Sequence, residues 1–218
     1  MAPEQIFDIV FYMEIIGTIA FAASGAMTGI HRGMDIFGVC VLGVVTAVGG
    51  GMTRDMILGN IPGALVRLVY VMVAVASALL VFSVLYFRNG LLQGKPGLLY
   101  DRAMFIMDSV GLGIFTVMGV MTGIQNGYPD NTFLLVFLGT LTGVGGGLLR
   151  DIMAGVPPYI LVKHIYACAS VVGALSCVWI YRAFGQTPSM VISSLLIILI
   201  RFLAAYFHWN LPHIKQES

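Results

Sequence analysis

The chain has 218 residues, of which 59% are hydrophobic and only 10% are charged, and its mean hydropathy is +0.96. A soluble domain carries about 25% charged residues, so this composition excludes a soluble globular protein and is typical of an integral membrane protein. The net charge is +1 and no two basic residues are adjacent, which excludes nucleic acid as the main partner.

Seven stretches of the chain are apolar over the roughly 20 residues that a helix needs to cross a bilayer. The first stretch follows acidic residues, unlike the basic start of a signal peptide, so we expect it to be retained as a spanning helix. The connections are short and rich in turn-forming residues, which leaves no room for a second domain. The predicted spans are residues 6–28, 36–58, 65–87, 103–122, 132–154, 159–181 and 190–207.

The placement of basic residues predicts the orientation of these spans, because cytoplasmic loops are enriched in Lys and Arg. The connections after spans one, three and five, together with the C-terminal tail, form the more basic side. We therefore expect the N-terminus outside and the C-terminus in the cytoplasm. The basic residues on the cytoplasmic side are Arg32, Arg88, Lys95, Arg102, Lys163 and Lys215, and those on the other side are Arg67 and Arg182.

An internal duplication covers most of the chain. Residues 43–62, GVVTAVGGGMTRDMILGNIP, align with residues 139–158, GTLTGVGGGLLRDIMAGVPP, and half of these positions are identical at a constant offset of 96. Each copy contains three spans, an odd number, so the second copy must cross the membrane in the opposite sense. We predict an all-α polytopic membrane protein with two inverted three-helix repeats, residues 1–94 and 95–187. A seventh helix and a cytoplasmic tail follow at residues 188–218.

Each copy carries the motif Gly-Gly-Gly-x-x-Arg-Asp in its second span. Three successive glycines weaken a helix, and two explanations stay open. The glycines could let helices approach closely, or they could form a kink or unwound turn that lines a wet pathway. We expect the break, about 20 Å into each span, so that two breaks flank the membrane centre and their freed backbone groups bind a cation or a zwitterion. The glycines are Gly49, Gly50 and Gly51, and Gly145, Gly146 and Gly147.

A charged pair follows each glycine motif, at a depth where an unpaired charge costs several kcal/mol. Adjacent residues on a helix point about 100° apart, so we expect each arginine to need a partner other than its neighbouring aspartate. Two acids in the first spans of the copies align at an offset of 94 and are the predicted partners. Each aspartate is expected in the first turn of a second half-helix, where an acid is favourable. The pairs are Arg54–Asp55 and Arg150–Asp151, and the duplicated acids are Glu14 and Asp108.

The remaining features are interpreted as structural. The spacing Gly25-x-x-x-Gly29 recurs as Gly119-x-x-x-Gly123 and indicates a helix-packing face. Arg201 in the seventh span is expected to snorkel or to pack between helices. The sequence has no catalytic motif and no Cys or His spacing for a metal, so we expect no enzyme activity, no cofactor and no metal beyond a transported monovalent cation.

The duplicated glycine motif, the seven spans and the inverted layout resemble the bacterial branch of the trimeric intracellular cation (TRIC) channels, which is also grouped as a glycine transporter domain family. The resemblance implies a homotrimer in the bacterial inner membrane, surrounded by lipid. It also implies one potassium-conducting pathway in each protomer, lined by the second and fifth helices, which kink at the glycines. The basic residue that animal members carry just before the glycines is missing here, so animal-type gating is not carried over.

The sequence leaves three functions open. The paired glycine motif favours transport, either as a channel for a small cation such as potassium or as a carrier for glycine or another small zwitterion. A structural or regulatory membrane protein without transport is the third, and the intramembrane charges would then only hold helices together. For either transport function, the predicted pathway is lined by the two glycine motifs, the charged pairs and the two duplicated acids.

Overall fold

The computed structural model describes residues 3–87, 97–162 and 165–209. All regular structure in this part of the chain is α-helical, and seven of its helices are long and apolar enough to span a membrane, which confirms the predicted fold class. In chain order the helices are α1 (Pro3–His31), α2 (Ile36–Ile57), α3 (Gly63–Val66), α4 (Leu68–Phe87), α5 (Gly97–Gln125), α6 (Thr132–Met153), α7 (Tyr159–Val162), α8 (Tyr166–Phe184) and α9 (Gln186–Tyr206).

Two predicted spans are divided in the structure. The span predicted at 65–87 consists of the short helix α3 followed by α4, and the span predicted at 159–181 consists of α7 followed by α8. A proline precedes each short helix, at Pro62 and at Pro158, and restricts the backbone there. A basic residue of the sequence falls at each division, Arg67 between α3 and α4 and Lys163 between α7 and α8, and the prediction based on apolar length ran through both.

The spanning helices pack as two groups of three that face each other. α1 packs against α2 and α4, and α5 packs against α6 and α8. The groups meet through α1 with α5 and through α2 with α6, while α9 lies against α5 and α8. The glycines predicted to form helix-packing faces do so, since a Cβ on Gly25 would lie 2.9 Å from the Cα of Gly43, and one on Gly119 would lie 2.8 Å from the Cα of Gly139.

Contacts between the connections show which helix ends share a side of the bundle. The Nη2 of Arg32, after α1, donates to the carbonyl of Gly155, after α6, at 3.1 Å. At the other end, the amide of Asn60, after α2, donates to that of Asn126, after α5, at 2.7 Å. Equivalent helices of the two groups therefore end on opposite sides, as inverted repeats require. Arg88, Lys95, Lys163 and Lys215 lie outside the described residues, and the orientation in the membrane stays a prediction.

Candidate functional site

The two glycine motifs lie where α2 crosses α6. A Cβ on Gly145 would lie 3.0 Å from the Cα of Gly50, and a Cβ on Gly50 would collide with the carbonyl of Thr142 and lie 3.1 Å from the nitrogen of Gly146. Gly50, Gly145 and Gly146 thus let the helix backbones touch, whereas Gly49 faces the side chain of Leu149 on α6. Side chains at these positions would force the helices apart.

Both helices run without interruption through their glycines, so the predicted unwound turn is wrong. The backbone groups of these glycines stay within the hydrogen bonding of their own helices. Freed carbonyl and N–H groups are consequently not available as ligands at the crossing. A bend of either helix axis that keeps this hydrogen bonding stays a prediction.

The third glycine of each motif faces side chains instead of the other helix. A Cβ on Gly51 would find its nearest neighbour, the Nη2 of Arg54, 3.8 Å away. A Cβ on Gly147 would lie 2.9 Å from the hydroxyl of Tyr166 and 3.7 Å from the Nη2 of Arg150. These glycines therefore leave space beside the arginine that follows one turn later on the same helix.

Each arginine contacts the aspartate next to it, which the prediction did not regard as a sufficient partner. The Nε and Nη2 of Arg54 both donate to Oδ1 of Asp55, at 2.9 and 2.7 Å. The Nε of Arg150 donates to Oδ1 of Asp151 at 2.8 Å. The prediction considered only the directions of the Cβ atoms, whereas the long arginine side chain curls around the helix and spans the angle between them.

The second oxygen of each aspartate holds the chain that follows the spanning helix. Oδ2 of Asp55 accepts the backbone N–H of Gly63, and Oδ2 of Asp151 accepts that of Tyr159, both at 2.8 Å. The aspartates lie in the last turn of α2 and α6 and act at the first residue of α3 and α7. The predicted position in the first turn of a second half-helix is therefore wrong, and the acids instead accept the first N–H of the next helix along the chain.

The first-half cluster consists of Glu14, Arg54, Asp55 and Tyr70, near the end of the bundle where α2 ends and α4 begins. The hydroxyl of Tyr70 donates to the carboxylate of Glu14. The predicted pair of Glu14 with Arg54 is wrong, since the described residues show no ion pair between them and Arg54 binds Asp55. Glu14 lies three residues before Gly17 on α1 and contacts Tyr70 of α4, whereas the side chain of Arg54 turns along its own helix.

A partly open cavity of about 70 Å³ lies at this cluster and reaches Gly63 and Ala64, near the end of the bundle where α2 ends. Arg54 keeps 14% of its side chain exposed within it. The wall also includes apolar residues of α5, among them Phe115. The polar side of the wall consists of Glu14, Thr18, Gly51, Arg54, Asp55 and Tyr70.

The second-half cluster lies near the opposite end of the bundle and consists of Asp108, Arg150, Asp151, Tyr166 and Arg201. The Nη1 of Arg150 donates to Oδ1 of Asp108 at 2.7 Å, which confirms the predicted partner of this arginine. The hydroxyl of Tyr166 lies 3.4 Å from the same oxygen. The side chains of Arg150 and Asp108 have no exposed surface, so this cluster is sealed where the first is open.

Two further contacts complete the second-half cluster. Ser24 on α1 accepts a hydrogen bond from the Nη1 of Arg150 at 2.5 Å. The guanidinium of Arg150 also lies 5.3 Å from the ring centre of Tyr159. The charged side chains of the cluster are its two acids and two arginines.

Arg201 does not snorkel to the surface, because only 5% of it is exposed. Its guanidinium is stacked 4.8 Å from the ring centre of Phe105 and 4.7 Å from that of Tyr166. Its Nη2 lies 3.5 Å from Oδ2 of Asp108. α9, the seventh span, therefore contributes to the charged site as well as to packing. The sequence did not predict this contribution.

An apolar pair separates the two clusters. The rings of Phe21 on α1 and Phe115 on α5 have centroids 5.2 Å apart, and their positions differ by the duplication offset of 94. Phe115 lines the open cavity, and Phe21 lies one turn along α1 from Ser24, which touches Arg150. A solute that entered the cavity would meet this pair before it reached the second-half cluster.

Sequence reasoning missed four residues of the two clusters. They are the aligned tyrosines Tyr70 and Tyr166, together with Ser24 and Arg201. Tyr70 and Tyr166 were within reach, because they lie at the offset of 96 and an extension of the alignment by eight positions pairs them. Arg201 lies outside the duplication, so no alignment of the copies could have assigned it. Ser24 is an isolated small residue, and only the fold places it beside Arg150.

Comparisons with known proteins agree with this architecture. The family model described as Glycine transporter matches residues 11–86 and again residues 105–182, one match in each half. The inner membrane protein YadS of Escherichia coli strain K12 is 36% identical over 208 residues, which cover 94% of this chain and 95% of that protein. A membrane protein of Deinococcus radiodurans is 34% identical over 205 residues, covering 92% and 90%.

The fold also matches solved structures. A TRIC cation channel, studied for the structural basis of its conductance, has a TM-score of 0.80 and 33% identity and covers 97% of this chain and 98% of its own. A prokaryotic TRIC channel crystallised in 0.5 M KCl has a TM-score of 0.83 and 30% identity, covering 94% and 100%. The TRIC orthologue from Rhodobacter sphaeroides has a TM-score of 0.80 and 29% identity, covering 92% and 99%.

Proposed function

Because the chain belongs to the glycine transporter family and its structural neighbours are TRIC cation channels, we propose that it is a membrane channel that conducts monovalent cations, potassium in particular. The proposed setting is the bacterial inner membrane, supported by the seven apolar helices and by the E. coli relative. The observation that carries the proposal is the open cavity, which leads from one end of the bundle to the carboxylates of the first-half cluster.

The proposed pathway runs inside a single chain. It enters through the cavity, passes Glu14 and Asp55, crosses the Phe21–Phe115 pair and leaves beside the second-half cluster. Carboxylate and hydroxyl oxygens can replace the water around a monovalent cation, so the first-half cluster offers suitable ligands. The structure corresponds to a closed state, because the second-half cluster is buried. The residues proposed to line or shape this pathway are Gly49, Gly50, Gly51, Arg54, Asp55, Gly145, Gly146, Gly147, Arg150, Asp151, Glu14 and Asp108.

We test this proposal with purified protein in potassium-loaded liposomes. Potassium flux should exceed that of empty liposomes, and Glu14→Gln should lower it by about tenfold, since a charged cleft enriches counter-ions by at least that factor. Asp35→Asn is the matched control, because it also neutralises a carboxylate in the first half. Asp35 is exposed and caps α2 by accepting the N–H of Gly38 at 2.7 Å, a role that asparagine fills. An equal loss of flux in both variants would contradict a cation site at Glu14.

A glycine or small-zwitterion carrier is the second candidate. The cavity presents the guanidinium of Arg54 beside the carboxylate of Glu14, and these groups complement the two charges of an amino acid. Uptake of labelled glycine is measured in the same liposomes. Saturable glycine uptake without potassium conductance would replace the channel by the carrier. Absence of both activities in a correctly folded preparation would favour a structural or regulatory protein.

A further inference from the structure

Asp108 is placed between two arginines that hold it unequally. Arg150 binds Oδ1 at 2.7 Å, whereas Arg201 lies 3.5 Å from Oδ2, too far for a good charge-assisted hydrogen bond. Among the described residues, Oδ2 of Asp108, the Nε of Arg201 and the Nη2 of Arg150 have no hydrogen-bond partner. Arg201 and Asp108 thus already form a second, longer ion pair, and both keep a buried polar atom without a hydrogen-bond partner.

The first half of the chain shows the same groups in another arrangement. There the acid, Glu14, is separated from Arg54 and binds the hydroxyl of Tyr70, while Arg54 places two nitrogens on Asp55. The charge of Arg67 also acts on Glu14. The first-half cluster lines the cavity. In the half that is open to the cavity, Glu14 therefore does not form an ion pair with Arg54.

The second half has every group needed to adopt that arrangement. If Arg150 turned fully onto Asp151, as Arg54 does onto Asp55, Asp108 would lose its strongest partner. A buried carboxylate without a partner costs several kcal/mol. Tyr166, the counterpart of Tyr70, already lies 3.4 Å from Asp108, and Arg201 supplies the positive charge.

We propose that Arg201 is a positioning residue that receives Asp108 from Arg150, and that this transfer opens the second-half end of the pathway. The proposal rests on the proposed channel function. Arg201 is suited to the role because its guanidinium lies over the rings of Phe105 and Tyr166 while its Nη2 lies 3.5 Å from Asp108. Opening then exchanges one buried ion pair for another, so no charge is left unpaired.

The direction in which substitution of Arg201 changes opening distinguishes this proposal from a role in which Arg201 only stabilises the closed state. Arg201→Gln removes the receiving charge, so Asp108 stays on Arg150 and the channel stays closed. If Arg201 only held the closed state together, the same substitution would open it. Arg201→Lys keeps the charge and should preserve opening.

The test uses a cysteine reporter beside the site. Cys40, Cys168 and Cys177 are replaced by alanine, Ser24→Cys is introduced next to Arg150, and the rate of maleimide labelling is measured in detergent. Arg201→Gln should lower this rate by about fivefold or more, the lower limit of typical coupling between two sites, and Arg201→Lys should leave it within about twofold. Arg182→Gln, at the opposite end of the bundle, is the matched control and should have no effect. An unchanged or faster rate in Arg201→Gln overturns the proposal.

Two further measurements keep the test decisive if Arg201→Gln folds poorly. Tyr166→Phe removes the hydroxyl that also receives Asp108 and should slow labelling in the same direction, and an unchanged rate would contradict the transfer. Thermal stability is compared for Arg150→Gln, Arg201→Gln and the double variant. Each single variant leaves Asp108 one arginine, so the double variant should lose more than the sum of both. Additive losses of thermal stability would contradict the idea that Arg150 and Arg201 share Asp108 as a partner.

Failure of the transfer and failure of the channel are distinguishable. The labelling rates and the stability cycle do not require ion flux. If wild-type protein carries no potassium while Arg201→Gln still slows labelling, the channel function is wrong and the transfer stands. If potassium flux is present and Arg201→Gln labels at the parent rate, the transfer is wrong and the channel function stands.

Discussion

At the scale of single residues, the duplication places equal chemistry in unequal surroundings. Glu14 and Asp108 occupy aligned positions, yet Glu14 binds a tyrosine at the edge of an open cavity and Asp108 is buried against Arg150. Glu14 can exchange its hydrogen bond with Tyr70 for contact with water or a cation. The second balances buried positive charge and cannot be neutralised without leaving an arginine uncompensated.

This contrast predicts unequal losses of stability from equivalent substitutions. Asp108→Asn should lower the free energy of unfolding by about 3–5 kcal/mol, because Arg201 would remain buried without a counter-charge and Arg150 would keep only Asp151. Glu14→Gln should cost about 1 kcal/mol, since the amide oxygen still accepts from Tyr70 and the site is open. Thermal unfolding in detergent measures both. Similar losses would indicate that the two clusters are equally exposed to water in the folded protein.

At the scale of helices, the glycine motif combines two functions within three residues. Gly50, Gly145 and Gly146 bring α2 and α6 into backbone contact, and the third glycine of each motif provides space next to the arginine. Sequence reasoning left helix packing and a helix break as alternatives and preferred the break. The structure shows packing, because each motif faces the other helix and both helices remain intact at the glycines.

Two adjacent glycines of α2 are therefore predicted to respond oppositely to alanine. Gly50→Ala should destabilise the fold by about 1–3 kcal/mol, because its Cβ would collide with the backbone of Thr142. Gly51→Ala should be neutral or stabilise by up to about 1 kcal/mol, since the nearest atom is 3.8 Å away and alanine favours the helix.

The measurement is the midpoint of thermal unfolding for both variants under the same conditions. Potassium flux of Gly51→Ala reports in addition whether the space beside Arg54 is used by the permeating ion. A destabilised Gly51→Ala together with a tolerated Gly50→Ala would show that α2 and α6 do not cross at these glycines.

At the scale of the whole molecule, the described residues form a partly open cavity at the first-half cluster and bury the charged side chains of the second-half cluster. The cavity reaches the first-half cluster, the Phe21–Phe115 pair lies behind it, and the second-half cluster is buried. The two halves share the glycine motif and differ in how deeply their charged side chains are buried. An element outside the duplication, α9, accounts for part of the difference because it adds Arg201 to the second half alone.

The assembly is predicted to be a homotrimer with one pathway in each chain, a proposal supported by the similarity to a solved channel described as trimeric. Native mass spectrometry in a mild detergent should give three times the 23.4 kDa of the chain. Flux per chain should be the same in preparations with one active and two inactive chains as in fully active trimers. A monomer that retains full potassium flux would contradict the need for assembly.

The sequence by itself determined the class of protein, the number of spans, the duplication and the family. These follow from the apolar composition and from local patterns, because in a bilayer each span must satisfy its own backbone. It also identified Arg54, Asp55, Arg150 and Asp151 as functional candidates, and it paired Arg150 correctly with Asp108.

Only the tertiary structure decided what the glycines do and which partners the charges take. The glycines are covered by a helix distant in sequence, so their local propensity for a break is overridden by packing. Glu14 meets Tyr70 and Arg201 meets Asp108 across helices that no local pattern connects. The opening of one half and the closing of the other likewise depend on how whole helices lie against each other, and two nearly identical motifs cannot encode that difference separately.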